Sequence, residues 1–364
     1  MPDFLLRALE LARAGVGQTS PNPTVGAVIE RGGEILGEGF HVYAEKKHAE
    51  IVALDQAGEK ARGATLYVTL EPCSHQGRTG PCADAVIAAG ITRVVAPIED
   101  PNPAVSGEGF RKLREAGIEV VIDETHAAAA RKLNEAFFHF IQTGLPFVTL
   151  KSAVTLDGKI AAPYDNDGWI TSETARAHVQ TLRHATDAIL TGIGTALADD
   201  CLLTDRSGLP RSRPLLRIVL DSQLRLPTTS KLATSCDKDV LVVTTSAASA
   251  ERRQALEAVG VEVVTLDGAA GRTSLKDLTA WLGQRGYQSL MIEAGSMVNW
   301  GALESGIVDR LFLYYAPKIL GGLKSLPVAG GPGRQRRSDA ILFHNVTLHP
   351  IPPDEFAVES YLVK

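Results

Sequence analysis

The length, composition and charge of the chain fit a globular protein and exclude several classes. At 364 residues the chain is too long for one ordinary core, so we expect two domains. An apolar fraction of 45% and a charged fraction of 22% are typical of globular proteins, and no apolar run reaches the roughly 18 residues of a membrane span. The net charge of −5 gives no electrostatic footprint for nucleic acid.

The N-terminus and the cysteine count favour a cytoplasmic protein. Residues 1–7 lack the basic region, apolar stretch and cleavage site of a signal peptide. Four cysteines suit a reducing cytoplasm better than a disulfide framework. We expect Cys201 and Cys236 to be packing residues.

The first half of the chain alternates helix and strand patterns, which is typical of an α/β domain. Apolar residues recur on one side of residues 3–14 and predict an amphipathic helix there. Strands are predicted at 25–29, 34–39, 64–69, 91–97 and 118–122. Further helices are predicted at 48–57, 81–89 and 109–116, followed by a connecting helix at 127–142.

A second series of strands and helices follows a break in the pattern at residues 143–146. We place the boundary near residue 145, which gives domains of residues 1–145 and 146–364. Strands are predicted at 147–153, 187–191, 215–221, 239–244, 261–265, 288–293 and 308–316, with a last edge strand at 356–362. Helices are predicted at 173–184, 249–259, 274–285 and 296–304. The glycine-rich stretch 321–333 is expected to be a loop.

Four residues of the first half, His48, Glu50, Cys73 and Cys82, form the most informative motif. One imidazole and two thiolates can hold Zn²⁺ and leave its fourth position open for water. A glutamate two residues from the histidine can move the protons of that water, as in zinc deaminases. Both halves of the motif fall at predicted helix starts, where partial positive charge stabilises a thiolate. The motif therefore predicts a hydrolytic deaminase with Glu50 as its catalytic residue.

Two other interpretations of the same residues stay open on spacing alone. Eight residues separate Cys73 from Cys82, where the usual pattern has two, so a longer loop is required. The residues could be a buried histidine with two core cysteines, since free cysteine often behaves as a small hydrophobe. Alternatively, His75 could supply a fourth ligand and close a structural zinc site.

The motifs around these residues resemble those of the bifunctional riboflavin-biosynthesis deaminase/reductase family. The matching segments are 22–28, 39–41 and 100–103 in the first half and 151–153, 156–159, 169–172, 197–200 and 292–295 in the second. The resemblance covers nearly the whole chain, and the family shares the long cysteine spacing. It implies an α/β fold in which a cytidine-deaminase-like three-layer α/β/α domain precedes a dihydrofolate-reductase-like α/β domain.

The resemblance implies two reactions, the first of them in the deaminase domain. Zn²⁺-dependent hydrolysis removes an amino group from a diamino-hydroxy-phosphoribosylamino-pyrimidine, and NADPH then reduces the ribosyl group to an open-chain ribityl phosphate. The family's deaminase-substrate contacts correspond to Asn22, His41, His75 and Arg78. Taken alone, Asn22 could be only a turn residue between two prolines, and His75 only a donor within its loop.

The reductase residues are less evident from the sequence, since no Gly-x-Gly-x-x-Gly fingerprint follows an early strand. The resemblance implies NADPH contacts at Ala153, Trp169, Thr195, Asp199 and Gly295. It implies reductase-substrate contacts at Asp167, Arg183, Leu203, Arg206 and Glu293, to which we add Lys151 because its charge could favour an opening sugar.

Each of these reductase residues also has a structural interpretation. The two arginines, Arg183 and Arg206, suit a phosphate because guanidinium offers a bidentate fork, but either could form a surface ion pair. Trp169 could be core packing, and residues 192–195 could be a tight turn. Glu293 ends an apolar strand, where a carboxylate is more often functional.

Two competing functions are weighed against this hypothesis. A nucleoside or tRNA deaminase with an accessory domain would share the zinc motif, but it should carry a basic face for phosphates. A zinc-stabilised scaffold would unfold without metal and would not need Glu50. We expect small-molecule partners, no nucleic acid, no membrane, and assembly into a homo-oligomer.

Overall fold

The computed structural model describes residues 2–75, 80–102, 106–164 and 167–363. The chain forms two compact units. The first unit comprises Met1–Gly144 and Pro210–Arg213, and the second comprises Leu145–Leu209 and Pro214–Lys364. The chain thus divides between Gly144 and Leu145, and we retain 1–145 and 146–364 as the proposed limits of the functional domains.

The first unit has one five-stranded sheet, and the predicted strands and helices of this half are confirmed with shifted ends, except the helix predicted at 127–142. Its helices are α1 (Phe4–Ala14), α2 (Ala49–Ala57), α3 (Cys82–Ala88), α4 (Glu108–Glu115), α5 (Ala127–Leu133) and α6 (Glu135–Thr143). Its strands are β1 (Gly26–Arg31), β2 (Glu34–Phe40), β3 (Thr65–Val68), β4 (Arg93–Ala96) and β5 (Glu119–Ile122). The order is β2-β1-β3-β4-β5, with β1 antiparallel to both neighbours and β3, β4 and β5 parallel.

Glycines in the first two strands show that helices cover both faces of this sheet. A Cβ at Gly26 would collide with the Ala8 carbonyl of α1, and one at Gly37 would collide with the Ala53 carbonyl of α2. Gly37 pairs with Ile29, three residues from Gly26, so the two glycines point to opposite faces. The unit therefore has the expected three layers, α/β/α.

The predicted connecting helix at 127–142 is wrong, because the chain forms two helices there. Asn134 separates α5 from α6 with a non-helical backbone (φ −110°, ψ 16°). Its side chain bonds the backbone of Thr24. Because Thr24 is 110 residues away, the apolar pattern of residues 127–142 alone could not show the interruption.

The second unit is built on a nine-stranded sheet and a separate two-stranded sheet formed by β7 and β14. The strands of the unit are β6 (Phe147–Thr155), β7 (Lys159–Ala161), β8 (Ala188–Gly192), β9 (Leu216–Leu220), β10 (Val240–Thr244), β11 (Glu262–Thr265), β12 (Ser289–Ile292), β13 (Arg310–Ala316), β14 (Leu326–Pro327), β15 (Phe343–Ile351) and β16 (Glu355–Leu362). Its helices are α7 (Glu173–His184), α8 (Ile193–Asp199), α9 (Lys231–Thr234), α10 (Ala250–Ala258), α11 (Leu275–Gln284) and α12 (Ser296–Ser305).

The order of the large sheet is β11-β10-β9-β8-β12-β6-β13-β16-β15. The first seven strands in this order are parallel, and β16 and β15 are antiparallel additions. The prediction of an edge strand at 356–362 is wrong, since β16 lies between β13 and β15. The true edge strand, β15, is exposed along most of its length and has no apolar alternation to reveal it.

Several short elements of the second unit, among them β7, β14, α8 and α9, were not predicted. Strand β14 lies within the expected loop 321–333 and pairs with β7 as a separate two-stranded sheet. The segment interpreted as a tight turn, residues 192–195, contains the start of α8. Helix α9 has only four residues. No helix in the described part of the chain is long and apolar enough to cross a membrane.

Candidate active sites

The first unit brings three possible metal ligands together. One ligand atom each from His48, Cys73 and Cys82 lies within 4.8 Å of the others, the one such group found among the described residues. The His48 Nδ1 atom is 3.1 Å from the Cys82 Sγ and 3.6 Å from the Cys73 Sγ. His75 is exposed and lies outside this group, so the geometry gives no support to a closed four-ligand site.

Helix ends position these ligands, as the sequence predicted. His48 is the N-cap residue of α2, and Cys82 is the first residue of α3. Cys73 lies in the segment after β3, where its sulfur accepts the Cys82 backbone N–H at 3.3 Å. The helix start thus supplies both a ligand and a hydrogen bond to the second sulfur.

Burial and neighbouring charge perturb the ionisable groups beside this cluster. Glu50, in the first turn of α2, is 4% exposed. Burial, together with the negative charge of Cys73, raises the pKa of Glu50 to about 7. The pKa of the Cys73 thiol is lowered, chiefly because the Cys82 thiol donates to its sulfur and secondarily because His48 does, although burial opposes both.

A cavity of about 300 Å³ opens over the cluster. His48, Glu50 and Cys73 contribute to its lining. The rest of the lining comes from Pro21, Asn22, Pro23, Val25, His41, Ala49, Leu70, Glu71, His75, Asp100, Asn102, Phe137 and Ile141. The predicted substrate residues Asn22, His41 and His75 therefore share the cavity with the catalytic candidate, whereas Arg78 lies outside the described residues.

Asn22 and His41 are joined to each other within this lining. His41 is buried, and its Nδ1 is 2.7 Å from the Lys47 carbonyl oxygen, so this nitrogen carries the proton and donates. The Nε2 atom then accepts from the Asn22 amide nitrogen at 3.0 Å. Burial lowers the pKa of His41, which keeps the ring neutral in this arrangement.

Glu71 is a structural residue of the site that sequence reasoning missed. Its buried carboxylate accepts four backbone N–H groups, from Asp100, Gly107, Gly109 and Phe110, at 2.8 to 3.1 Å. Glu71 thereby ties the start of α4 to the segment that carries Cys73. The sequence signal that could have identified Glu71 was its position two residues before the metal-ligand candidate Cys73.

In the second unit, three predicted substrate residues form a buried charge cluster. The Glu293 carboxylate bonds the Lys151 Nζ at 2.9 Å and the Arg183 Nη2 and Nε at 2.8 and 3.0 Å. Arg183 also donates to the Thr204 carbonyl oxygen at 2.9 Å. The side chains of Lys151 and Arg183 are only 8% and 9% exposed, so the alternative of a surface ion pair for Arg183 is wrong.

These two cations determine the ionisation of Glu293. Burial alone would raise the pKa of its carboxyl group, but the charges and hydrogen bonds of Lys151 and Arg183 outweigh burial and lower the pKa to about 2. The Tyr314 ring lies beneath the cluster, with the Lys151 Nζ 5.6 Å from its centroid. Glu293 is therefore an anion at neutral pH, held by two partners.

Three predicted cofactor residues lie at or just beyond the carboxyl ends of neighbouring strands, where open α/β sheets bind ligands. Ala153 is on β6, Thr195 is in the first turn of α8 after β8, and Gly295 is the N-cap of α12 after β12. A Cβ at Gly295 would lie 3.3 Å from the Thr195 Oγ1, so the two meet. The strand order β8-β12-β6 brings all three to one edge.

The other predicted reductase residues are less tightly placed. Trp169 is 69% exposed, which excludes core packing, and the Arg176 guanidinium lies 4.8 Å from its ring centroid. Asp167 and Asp199 are exposed. The part of the Asp199 carboxyl group that is shielded from water raises the pKa of Asp199. Leu203 is buried with a left-handed backbone (φ 53°), and the exposed Arg206 donates its backbone N–H to Gln180.

Comparisons with known proteins match both halves of the chain. Residues 2–97 match the cytidine and deoxycytidylate deaminase zinc-binding region, and residues 146–349 match the RibD C-terminal domain. The chain belongs to the RibD family of riboflavin biosynthesis proteins. This membership makes the chain a bifunctional deaminase and reductase of riboflavin biosynthesis, and it supports that function over a nucleoside or tRNA deaminase with an accessory domain.

Relatives and solved structures support this assignment over full length. The riboflavin biosynthesis protein RibD of Actinobacillus pleuropneumoniae is 43% identical over 93% of this chain and 89% of its own. The structure of Acinetobacter baumannii RibD matches with a TM-score of 0.87 at 36% identity, covering 99% of this chain and 98% of that one. A Thermotoga maritima diaminohydroxyphosphoribosylaminopyrimidine deaminase/5-amino-6-(5-phosphoribosylamino)uracil reductase matches with a TM-score of 0.81 at 36% identity, covering 99% and 98% of the two chains.

Proposed function

We propose that this chain catalyses two reactions of riboflavin biosynthesis, one in each unit. The first is hydrolytic deamination of 2,5-diamino-6-(5-phosphoribosylamino)pyrimidin-4(3H)-one with release of ammonia. The second is NADPH-dependent reduction of the ribosyl side chain of 5-amino-6-(5-phosphoribosylamino)uracil to ribityl. The observation that carries the proposal is the convergence of His48, Cys73 and Cys82 beside Glu50 in a member of this family.

Zinc fits the donor set of the first unit. One imidazole nitrogen and two cysteine sulfurs are ligands that Zn²⁺ prefers, and three protein ligands are typical of catalytic rather than structural sites. Bound Zn²⁺ supplies Lewis acidity that lowers the pKa of water toward neutrality. His48, Cys73 and Cys82 would hold it.

Glu50 is the proton carrier of the deamination. It lines the same cavity as the three ligands and lies outside their group, so its carboxylate is available to the reacting atoms. In its ionised form it takes a proton from the attacking water. In its protonated form it gives that proton to the ring nitrogen, and it then passes a second proton, taken from the added hydroxyl group, to the leaving amine.

Asn22 orients the pyrimidine through its Oδ1 atom, which does not take part in the bond to His41. The Asn22 amide nitrogen is committed to His41, and His41 is oriented by the Lys47 carbonyl. The Asn22 Oδ1 atom is therefore the group that faces substrate, and it accepts from an N–H of the pyrimidine edge. His75, which lines the cavity, and Arg78, which lies outside the described residues, remain candidates for contacts to the phosphoribosyl group.

The Lys151–Glu293–Arg183 cluster orients the sugar in the second reaction. Because both oxygens of Glu293 are held by cations, the carboxylate is a fixed acceptor for a ribosyl hydroxyl. Lys151 can donate to the sugar oxygen as the ring opens. Arg183 acts mainly by holding Glu293 and the Thr204 carbonyl, while Leu203, Arg206 and Asp167 lie in the segments that we assign to the remaining substrate contacts.

The carboxyl edge of β8, β12 and β6 suits a dinucleotide. Gly295, the N-cap residue of α12, has no side chain to cap the helix, and the missing Cβ leaves room beside Thr195. Bound NADPH supplies the hydride. Ala153, Thr195 and Gly295 would hold it at this edge, with Trp169 and Asp199 as further contacts.

The cysteines and the net charge of the chain bear on the location of the enzyme in the cell and on its partners. The cysteines are free thiols and the net charge is −5, which supports a cytoplasmic enzyme with small-molecule substrates and no nucleic-acid partner. We also infer a homo-oligomer, and light scattering after gel filtration tests this, with a monomer mass as the contrary result.

Two assays on the purified chain test the proposed function. Ammonia release from the diaminopyrimidine substrate should need no dinucleotide. Loss of the reduced nicotinamide absorbance should need the deaminated intermediate and should be faster with NADPH than with NADH. Absence of ammonia release by zinc-loaded protein would refute the first half of the proposal, and absence of NADPH oxidation would refute the second.

A further inference from the structure

Part of the deaminase cavity is lined by a segment that neither family match covers. Phe137 and Ile141 of α6 line the cavity, yet they lie between the matched ranges 2–97 and 146–349. Both side chains are half-buried and apolar, so they present a hydrophobic surface to a bound ligand. The position of α6 therefore contributes to the shape of the pocket, although the metal-ligand candidates and Glu50 lie in other elements.

Asn134 connects this helix to the segment that carries Asn22. Its Oδ1 atom accepts the Thr24 N–H at 2.7 Å, and its Nδ2 atom donates to the Thr24 carbonyl at 3.0 Å. The amide therefore pairs with the backbone of Thr24 as a neighbouring strand would. Asn134 is 2% exposed and Thr24 is 8% exposed, so no water competes for these bonds.

The same residue also sets the direction of α6. The chain leaves α5 at Asn134 with φ −110° and ψ 16°, and α6 begins at the next residue. Phe137, one turn later, reaches the cavity, whereas the adjacent Phe138 packs against the core of the unit. A bond at Asn134 thus fixes the α6 lining and the Asn22 lining in relation to each other.

We propose that Asn134 is a positioning residue for deamination, which sets the spacing between the Pro21–Pro23 lining and the α6 lining around the pyrimidine. This inference rests on the proposed deaminase activity. Asn134 itself touches neither the cluster of metal ligands nor the cavity. Its effect is transmitted through Asn22, which binds the pyrimidine edge, and through Phe137, which covers the ring.

The first test is Asn134→Ala, measured by steady-state deamination and by zinc content. Loss of the paired hydrogen bonds should raise KM for the diaminopyrimidine roughly tenfold, with kcat per bound zinc within about twofold. General destabilisation would instead lower the active fraction, which reduces kcat at constant KM. An unchanged KM, with or without a fall in kcat, would overturn the proposal.

A second variant keeps the test decisive if Asn134→Ala does not fold. Asn134→Asp preserves shape and the acceptor for the Thr24 N–H, but it places an oxygen against the Thr24 carbonyl. We expect KM to rise here also, with zinc retained. The reductase activity of the same molecules should equal that of the wild type, which shows that the second unit is intact.

Two neighbouring phenylalanines provide the matched control for the lining. Phe137→Leu should raise KM for deamination by roughly threefold to tenfold, because it removes ring contact from the cavity. Phe138→Leu removes the same atoms from the core side, so it should lower thermal stability and leave KM unchanged. Equal KM values in these two variants would contradict the assignment of α6 as a pocket wall.

Hydrogen exchange separates this inference from the proposed function. The Thr24 amide should be protected in the wild type and should exchange faster in Asn134→Ala, whatever reaction the protein catalyses. Absence of wild-type ammonia release would refute the proposed function, whereas unaltered exchange at residues 19–26 in the variant would refute the role of Asn134.

Discussion

The two candidate sites differ in how their charges are balanced. In the first unit, His48, Cys73 and Cys82 converge as a set of donors with a raised-pKa carboxyl group, Glu50, beside them. In the second unit, the Glu293 carboxylate is paired with two cationic side chains of the protein, Lys151 and Arg183. The first arrangement is a donor set for a metal cation, whereas the second holds its carboxylate with the protein's own cations. The two activities of one chain should therefore respond to different perturbations.

Removal of zinc should separate the two sites most completely. Among the described residues, the donor set for the metal lies in the first unit, so dialysis against a chelator should abolish ammonia release and leave NADPH oxidation unchanged. Added Zn²⁺ should restore the lost activity. Deamination that persists in protein shown to be metal-free would contradict the requirement of the first site for zinc.

Glu50→Gln should have the next largest effect. The amide keeps the shape of the side chain but cannot carry a proton, so kcat for deamination should fall roughly 10²- to 10⁴-fold with zinc content unchanged. Glu59 is exposed and lies just beyond the end of α2, so Glu59→Gln serves as the control and should be neutral. A Glu50→Gln enzyme with wild-type turnover would rule out Glu50 as the proton carrier.

Glu293→Gln tests the internal ion pairs of the second site through the stability of the protein. It leaves Lys151 and Arg183 buried without their anion, and we expect the second unit to lose about 3 kcal/mol of unfolding free energy at pH 7. The folded pKa of about 2 lies below the ordinary 4.5, so this contribution is fully present above about pH 4.5. It should disappear as the pH falls through about 2.

Chemical denaturation of the wild type and Glu293→Gln at several pH values measures this dependence. The difference between the two proteins should be largest near neutrality and should shrink in acid. A difference that is constant from pH 7 to pH 2.5 would show that Glu293 contributes by packing and not by charge.

Arg183→Lys should have the smallest of these effects. Lysine cannot keep both bonds to Glu293 and the bond to the Thr204 carbonyl, so KM for the reductase substrate should rise roughly tenfold. Arg285→Lys is the matched control, because Arg285 pairs with Glu262 at the surface and its replacement should change little. An equal loss of deamination in Arg183→Lys would indicate misfolding and not a local role.

Local motifs were predictable from the sequence, and contacts between distant segments were not. The ligands of the first site follow from short spacings at helix starts, so His48 and Cys82 were found by pattern alone. The bond from Arg183 to Glu293 joins residues 110 positions apart, and only the sheet order β8-β12-β6 brings them together. Asn134 was hidden for the same reason, since its partner Thr24 is also 110 residues away.

Other misses arose where the pattern itself carried little information. Strand β15 is exposed along most of its length, so neither face shows apolar alternation, and α9 is too short for a helical period. The assignment of Arg78 to the phosphoribosyl group falls outside the described residues and stays a prediction. The roles of Trp169 and Asp167 rest on the family resemblance more than on their contacts.

The most direct test of the account is X-ray absorption at the zinc edge of the wild-type protein. We predict two sulfur ligands at about 2.3 Å and nitrogen or oxygen ligands at about 2.0 to 2.1 Å, with a position that an added pyrimidine inhibitor perturbs. The same spectrum should be obtained with Glu50→Gln. A fourth ligand from the protein, an altered spectrum in Glu50→Gln, or the absence of bound zinc would contradict an open catalytic metal site with Glu50 beside it.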